Sequence, residues 1–240
     1  KQSASTLKKL SLELGGNAPF IVFDDADIDK AVEGAVVSKF RNAGQTCVCV
    51  NRMLVHEKVY DEFTLKLIKA VSKFKVGNGM DQDVNIGPMI NTKAVEKTLS
   101  FVEDAKTKGG KILIGGNAID DCFFEPTIIG NASDDMIFSK EEIFGPVAAI
   151  YKFSTDQQAI QMANDTIYGL ASYFYSQNIS RCWKVAEQLE YGMVGINEGL
   201  ISTEVAPFGG VKASGQGREG SKYGIEDYLE IKYMCFGNIN

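Results

Sequence analysis

The sequence predicts an α/β fold, a mostly parallel twisted sheet flanked by helices, because stretches of helical period alternate with short β-branched runs along the chain. No internal repeat, low-complexity tract or Pro-rich linker interrupts the alternation, which favours one main domain. At 240 residues and 45% hydrophobic, the chain can bury a full core.

Taken in order, "LSLELGG" (10–16) reads as a buried strand belonging to a neighbouring domain. Ile28, Ala31, Val32, Ala35 and Val36 then recur at helical spacing behind Asp27, a candidate N-cap, and predict a helix over 27–40 that stops before Gly44. "NRMLVHE" (51–57) reads as a strand, and Tyr60, Phe63, Leu67, Val71 and Phe74 mark one face of a second helix. A third helix near 92–108 leads into the strand-like "KILIGG". The runs "PVAAIYKF", "GLASYFYS" and "MVGIN" read as further strands, separated by helices around 156–164 and 179–190. "YLEIKYMCF" (228–236) alternates like a last strand, which would leave an unpaired edge in an isolated domain.

Net charge is -6 with dispersed lysines, which argues against nucleic-acid or anionic-membrane partners, and no apolar run approaches the ~20 residues that span a bilayer. Small molecules and proteins remain as partners. Five cysteines, an odd number without framework spacing, read as free thiols in a reducing compartment, the cytoplasm by default. The sequons at Asn131 and Asn178 carry no meaning without a secretory signal. The chain opens at Lys1 and runs directly into "LKKLSLELGG", as a piece of a longer polypeptide would.

Gly215, Gly217 and Gly220 in "SGQGREGSKYG" fit the G-x-G-x-x-G pattern of dinucleotide binding. The pattern should follow a strand, open a helix and precede a ribose-binding acid by about 20 residues, whereas here the chain nearly ends. A loop of tight turns is the better reading.

"FRNAGQTCVCVNR" (40–52) sets Cys47 and Cys49 one residue apart. A cysteine with a pKa of about 8.5 is partly thiolate at neutral pH, and modest positive potential raises that fraction, so it can attack without an adjacent histidine. His56, the one histidine, falls in a strand and reads as an ordinary strand residue. Zinc is not expected, since the pair lacks a matching C-x-x-C or histidines. Two buried small hydrophobes would explain the cysteines equally well in isolation. Glu13 shifts the balance, because a carboxylate inside "LSLEL" is costly unless partly neutral, and a raised pKa suits a general base near pH 7. Cys122, Cys182 and Cys235 sit in stretches that read as structural, leaving Cys47 as the thiol expected to react fastest.

"LELGGNAP", "GQTC", "EEIFGPV" and "PFGGVKASGQGREG" together resemble the signatures of the aldehyde dehydrogenase superfamily, in that family's order and across essentially the whole chain. "FRNAGQTCVCVNR", "NEGLIS" and "GREGSKYG" look like its succinate-semialdehyde branch. The resemblance implies that Cys47 is the nucleophile and Glu13 the general base, that Leu14, Glu142 and Phe144 meet the nicotinamide and its ribose, and that the cofactor is NAD or NADP. Arg41 and Ser202 then match groups that bind the substrate's far carboxylate, and Phe208 lines the aldehyde tunnel. Some members of the branch are thought to close a Cys47 to Cys49 disulfide as a redox switch.

On the same resemblance, residues 1–16 form the last strand of a cofactor domain lying upstream, 17–224 the catalytic domain, and 225–240 a strand used in a homo-oligomer. The Rossmann-type cofactor domain, an oxyanion-hole asparagine and a second substrate-binding arginine would all precede Lys1, so this piece alone is expected to be inactive. The implied reaction is oxidation of succinate semialdehyde to succinate through a cysteine thiohemiacetal and thioester. A dehydrogenase for glutarate semialdehyde or another acid aldehyde is the nearest alternative. A CoA-acylating enzyme is disfavoured by Glu13, and a non-catalytic relative by the presence of both Cys47 and Glu13.

Overall fold

A computed structural model describes residues 1–238. Its elements, in chain order, begin with β1 (Leu12–Glu13), β2 (Ala18–Val22), α1 (Ile28–Phe40), β3 (Val50–His56) and α2 (Tyr60–Val71). They continue with α3 (Thr92–Thr107), β4 (Lys111–Ile114), β5 (Thr127–Gly130), β6 (Val147–Phe153) and α4 (Asp156–Asn164). Last come β7 (Tyr168–Gly169), β8 (Ala171–Tyr175), α5 (Ile179–Gln188), β9 (Met193–Ile196), β10 (Val211–Lys212) and β11 (Gly215–Gln216).

The main sheet has seven strands in the order β4-β5-β6-β3-β2-β8-β9. Every neighbouring pair is parallel except β4 with β5. Side-chain caps explain where four helices start: Asp27, Asn91, Thr155 and Asn178 each accept a hydrogen bond from a backbone N–H three residues on. The connection from β2 to β3 and those from β6 to β8 and β8 to β9 travel in opposite directions along the sheet, so right-handed crossovers place α1 on one face and α4 and α5 on the other. Aromatic packing agrees: Phe20 meets Phe63 of α2 and Tyr175, while Phe23 meets Phe153 and Phe174 on the opposite side.

The predicted helices and the strands within 51–57, 111–116, 146–153, 169–176 and 193–197 are present, with ends shifted by a residue or two; Phe74 lies beyond the end of α2. Two strands of the main sheet gave no sign in the sequence. In β2 all five residues are buried, and β5 is four residues long and equally buried, so neither shows the alternation that betrays a half-exposed strand.

Two expected strands are corrected. Within 10–16, strand is confined to Leu12–Glu13, paired antiparallel with β11, and Leu10, Leu12 and Leu14 are exposed. Residues 229–238 form no strand and are exposed, because no described strand lies alongside to take their backbone hydrogen bonds. The glycine-rich stretch is a turn-rich loop as expected: Gly215, Gly217 and Gly220 all have positive φ, and the backbone passes so close to Leu12 that a Cβ on Gly215 would lie 1.9 Å from its carbonyl oxygen.

Two arginines fasten the sheet. Arg181 at the start of α5 reaches Asp24 (3.2 Å), Asp25 (2.6 Å) and Asp156 (3.0 Å), tying the carboxyl ends of β2, β6 and β8. Arg52 of β3 is buried without a carboxylate; Nε donates to Asn17 Oδ1 at 2.7 Å, and its terminal nitrogens donate to the Met162, Ala163 and Asn17 carbonyls and to Tyr191 Oη. Arg52→Met should therefore strand several buried acceptors, at about 1–3 kcal/mol each. We expect a loss of about 3 kcal/mol or more in urea unfolding; a loss below about 1 kcal/mol would show that the acceptors find water or other donors.

Candidate active site

Three segments that lead into adjacent parallel strands meet at the amino ends of those strands. Residues 13–17 enter β2, 41–49 enter β3 and 142–146 enter β6. Gly16 N–H donates to Glu142 Oε1 at 3.0 Å, joining the first segment to the third. Gly16 also packs on the Cys47 carbonyl, where a Cβ would lie 2.4 Å from the oxygen, so the first segment joins the second by a contact that permits no side chain.

The cysteine segment is shaped by its backbone. Arg41 closes α1 and opens a 3-10 turn (Arg41–Gly44) in which Asn42 (φ 51°) and Ala43 (φ 54°) are left-handed, followed by Gly44 at φ 73°. Consecutive left-handed residues without glycine are strained and need fixing by their surroundings. Gln45 supplies that: its amide donates to the Asn42 carbonyl (3.1 Å) and the Pro88 carbonyl (3.2 Å), and its oxygen accepts from Ile90 N–H (2.8 Å). Cys47 follows, half-buried, and Cys49 is buried with its Sγ 2.9 Å from the Thr46 hydroxyl and 3.9 Å from the Arg41 carbonyl.

Both oxygens of Glu13 are shut from water and have no hydrogen-bond partner among the described residues. Burial, then Glu219, push its carboxyl above the usual range, with Arg218 opposing. The direction is the one expected of a base, but the cause differs. Glu13 is not enclosed by a buried strand; it is covered by chain from some 200 residues later, where Gly209 lies close enough that a Cβ would sit 3.1 Å from Glu13 Oε1.

Burial, then Glu142, then Glu13, push the Cys47 thiol up, partly offset by its own backbone N–H. The positive potential expected around the thiol is thus not supplied by the described residues, which present carboxylates instead. Glu142 is itself raised by burial, against the Gly16 N–H, Lys97 and Lys39.

Leu14 and Phe144 are exposed apolar side chains on the two segments joined at Gly16 and Glu142, and Phe144 is held at φ 53°. Phe208 is half-buried, packed on the core and paired through its backbone with Glu219 (2.9 and 2.7 Å). Arg41 has no salt bridge among the described residues, and its Nε is buried without a hydrogen-bond partner among them. Ser202 is exposed and makes no hydrogen bond to Arg41, so those two candidates are not brought together. His56 is an ordinary strand residue, its Nε2 3.1 Å from the Ser154 carbonyl and its Nδ1 accepting from Lys58 N–H.

Of the other thiols, Cys182 is buried in α5 and Cys122 half-buried, but Cys235 is exposed, so its expected structural role is corrected. Sequence reasoning also missed Lys39. It is 1% exposed on the last turn of α1, pushed down to about 8 by burial, against the pull of Cys49 and Glu142. Nothing in "SKFRN" distinguishes it from a solvated lysine.

A family model described as the aldehyde dehydrogenase family matches residues 1–234. The chain is 61% identical over 241 residues to a succinate semialdehyde dehydrogenase of Acinetobacter baylyi, covering 100% of this chain and 50% of that protein. It is 61% identical over 235 residues to a glutarate-semialdehyde dehydrogenase of Pseudomonas putida, covering 98% and 49%. The solved succinate-semialdehyde dehydrogenase of Burkholderia pseudomallei superposes with a TM-score of 0.96 at 60% identity, over 98% of this chain and 49% of that one. The chain spans about half the length of the relatives it matches. With its motifs in order and its fold superposed on that of a solved member, this chain belongs to the aldehyde dehydrogenase family.

Proposed function

We propose that this chain is the catalytic part of an enzyme that oxidises succinate semialdehyde to succinate with NAD or NADP. The observation that carries the reading is Glu13, a buried carboxylate with two unused oxygens beside the Cys47 thiol. Such a group is unstable as a structural element and suited to take a proton from a water that enters with the substrate.

In this reading Cys47 Sγ attacks the aldehyde carbon, and the Cys47 backbone N–H donates to the developing alkoxide. When bound, a nicotinamide supplies the acceptor for the hydride that leaves that carbon. The residues present fit such a group: Leu14 and Phe144 offer exposed apolar surface, and Glu142 Oε2 takes no hydrogen bond from the described residues while Oε1 is held by Gly16. The thioester left on Cys47 is cleaved by a water that Glu13 deprotonates, releasing the acid and restoring the thiol. Arg41, with its unpartnered Nε, takes the substrate's far carboxylate, and Ser202 and Phe208 line the approach once the site is filled.

The similarity to a glutarate-semialdehyde dehydrogenase supports a second reading, with a substrate one methylene longer at the same site. Residues 1–16, 17–224 and 225–240 are proposed as the end of a cofactor domain, the catalytic domain and an oligomer-forming segment. The five free thiols suit a reducing compartment, cytoplasmic in our reading, and none of the described helices is long and apolar enough to cross a membrane.

In the full-length protein, Arg41→Ala should cut kcat/KM for succinate semialdehyde by roughly tenfold to a hundredfold, and do much less to butanal, since a hydrogen bond to a charged group contributes about 1.5–3 kcal/mol. Equal losses on both substrates would return the assignment to an aldehyde dehydrogenase of unknown preference. Glu13→Gln should leave a burst of reduced cofactor in rapid mixing and then little turnover, because acylation survives and deacylation does not. Loss of the burst as well would assign Glu13 to an earlier step. Alkylation of Cys47 by iodoacetamide should rise with pH toward a midpoint above that of an ordinary thiol. Glu142→Gln removes a repelling charge, lowers the midpoint and should speed alkylation at pH 7.5 by roughly two- to tenfold. A slower reaction would mean that Glu142 orders the thiol more than it repels the thiolate.

A further inference from the structure

Tyr173, in the middle of β8, has no part in the chemistry above. It is 1% exposed, on the α1 face of the sheet, with its ring tilted against Phe20 at a centroid distance of 6.3 Å. From that apolar surround its hydroxyl donates to the Val48 carbonyl at 2.8 Å. Val48 stands between Cys47 and Cys49, so this one bond fixes the peptide plane that follows Val48 and leads into Cys49. Burial holds the phenol's pKa up, so the group stays a donor throughout the neutral range.

The sheet is built to admit the ring. Gly195 of β9 lies opposite Tyr173, and a Cβ there would come 3.0 Å from Tyr173 Cδ1 and 2.8 Å from Ile201 Cγ2. Ile201 adjoins Ser202, so ring and substrate-side segment close over the same glycine. On the other side of the loop the Thr46 hydroxyl and the Arg41 carbonyl hold the Cys49 thiol. A disulfide across one intervening residue closes a small ring and requires the backbone between the cysteines to turn. The Tyr173 bond sits on that backbone.

We propose that Tyr173 is a positioning residue, a latch on the Val48 carbonyl that keeps Cys47 aimed for attack and Cys49 in its seat, and thereby opposes closure of a Cys47 to Cys49 disulfide. The inference rests on the reading of Cys47 as nucleophile. Closure breaks two S–H bonds and forms one S–S bond; the two protons and two electrons pass to an added oxidant, such as the azodicarboxamide diamide, whose N=N bond is reduced to a hydrazine.

Tyr173→Phe keeps the ring and removes the hydroxyl. In the full-length protein we expect kcat for succinate semialdehyde to fall about tenfold with KM little changed, because a buried carbonyl is left unmade and the loop loosens. Under diamide, mass spectrometry of the Cys47–Cys49 peptide should show the disulfide closing about tenfold faster than in the parent. A merely structural role would also lower the urea midpoint and speed alkylation of the buried Cys182, and that outcome, or two unchanged rates, overturns the latch. If neither protein closes the disulfide, the redox reading of Cys49 fails separately, and kcat alone decides: a parent-like kcat overturns the proposal.

Discussion

Three neighbouring strands running the same way, β6, β3 and β2, set the terms for everything else in this chain. Parallel neighbours in register begin at one edge, so the segments that precede them must share that edge. Those segments carry Glu142, Cys47 and Glu13. Ligands in open α/β sheets usually gather at the carboxyl ends of strands; here Arg181 and its three aspartates occupy that end of β2, β6 and β8, and the candidate site lies at the other.

The gathering is electrostatically uncomfortable. Burial raises the tendency of the thiol and of both carboxylates to hold a proton; Glu142 and Glu13 raise the thiol further, and Glu219 does the same to Glu13. The buried Lys39 answers part of this from beneath, facing Cys49 and Glu142, though its own charge is weakened by the same burial. Both Glu13 oxygens meanwhile stay without a hydrogen-bond partner among the described residues. Rigidity comes from uncharged contacts: Gly16 against Cys47, Gln45 across two segments, Tyr173 on Val48. Charges react, and backbone holds them.

How much of this could be read beforehand depended on whether a signal was local. Helices announced themselves through amphipathic spacing and, for α1, the cap Asp27; the largely buried strands β3, β6 and β8 did so through apolar, β-branched and aromatic runs. β2, central to the site, stayed hidden because Pro19 interrupts a short buried run that has no polar side to alternate with. The alternation of 228–236 was real, yet a strand also needs a neighbour, and none of the described strands lies beside it. Cys47, Glu13 and Arg41 could be singled out from the sequence as candidates. What raises Glu13 was not, since Glu219 and Gly209 arrive from the far end of the sequence, and neither Lys39 nor Tyr173 differs locally from any lysine or core tyrosine.

The close approach at Gly16 has a meaning for descent as well as for geometry. A residue with no reactive atom stands where any side chain would push the Cys47 carbonyl, and Gly44 stands likewise against the Gly145 carbonyl, where a Cβ would lie 2.1 Å from the oxygen. Lineages that drift to new aldehydes can rework the proposed substrate-side positions Arg41, Ser202 and Phe208, but these two glycines offer selection no neighbouring step. The history of such an enzyme should therefore be written in its pocket and left blank at its glycines.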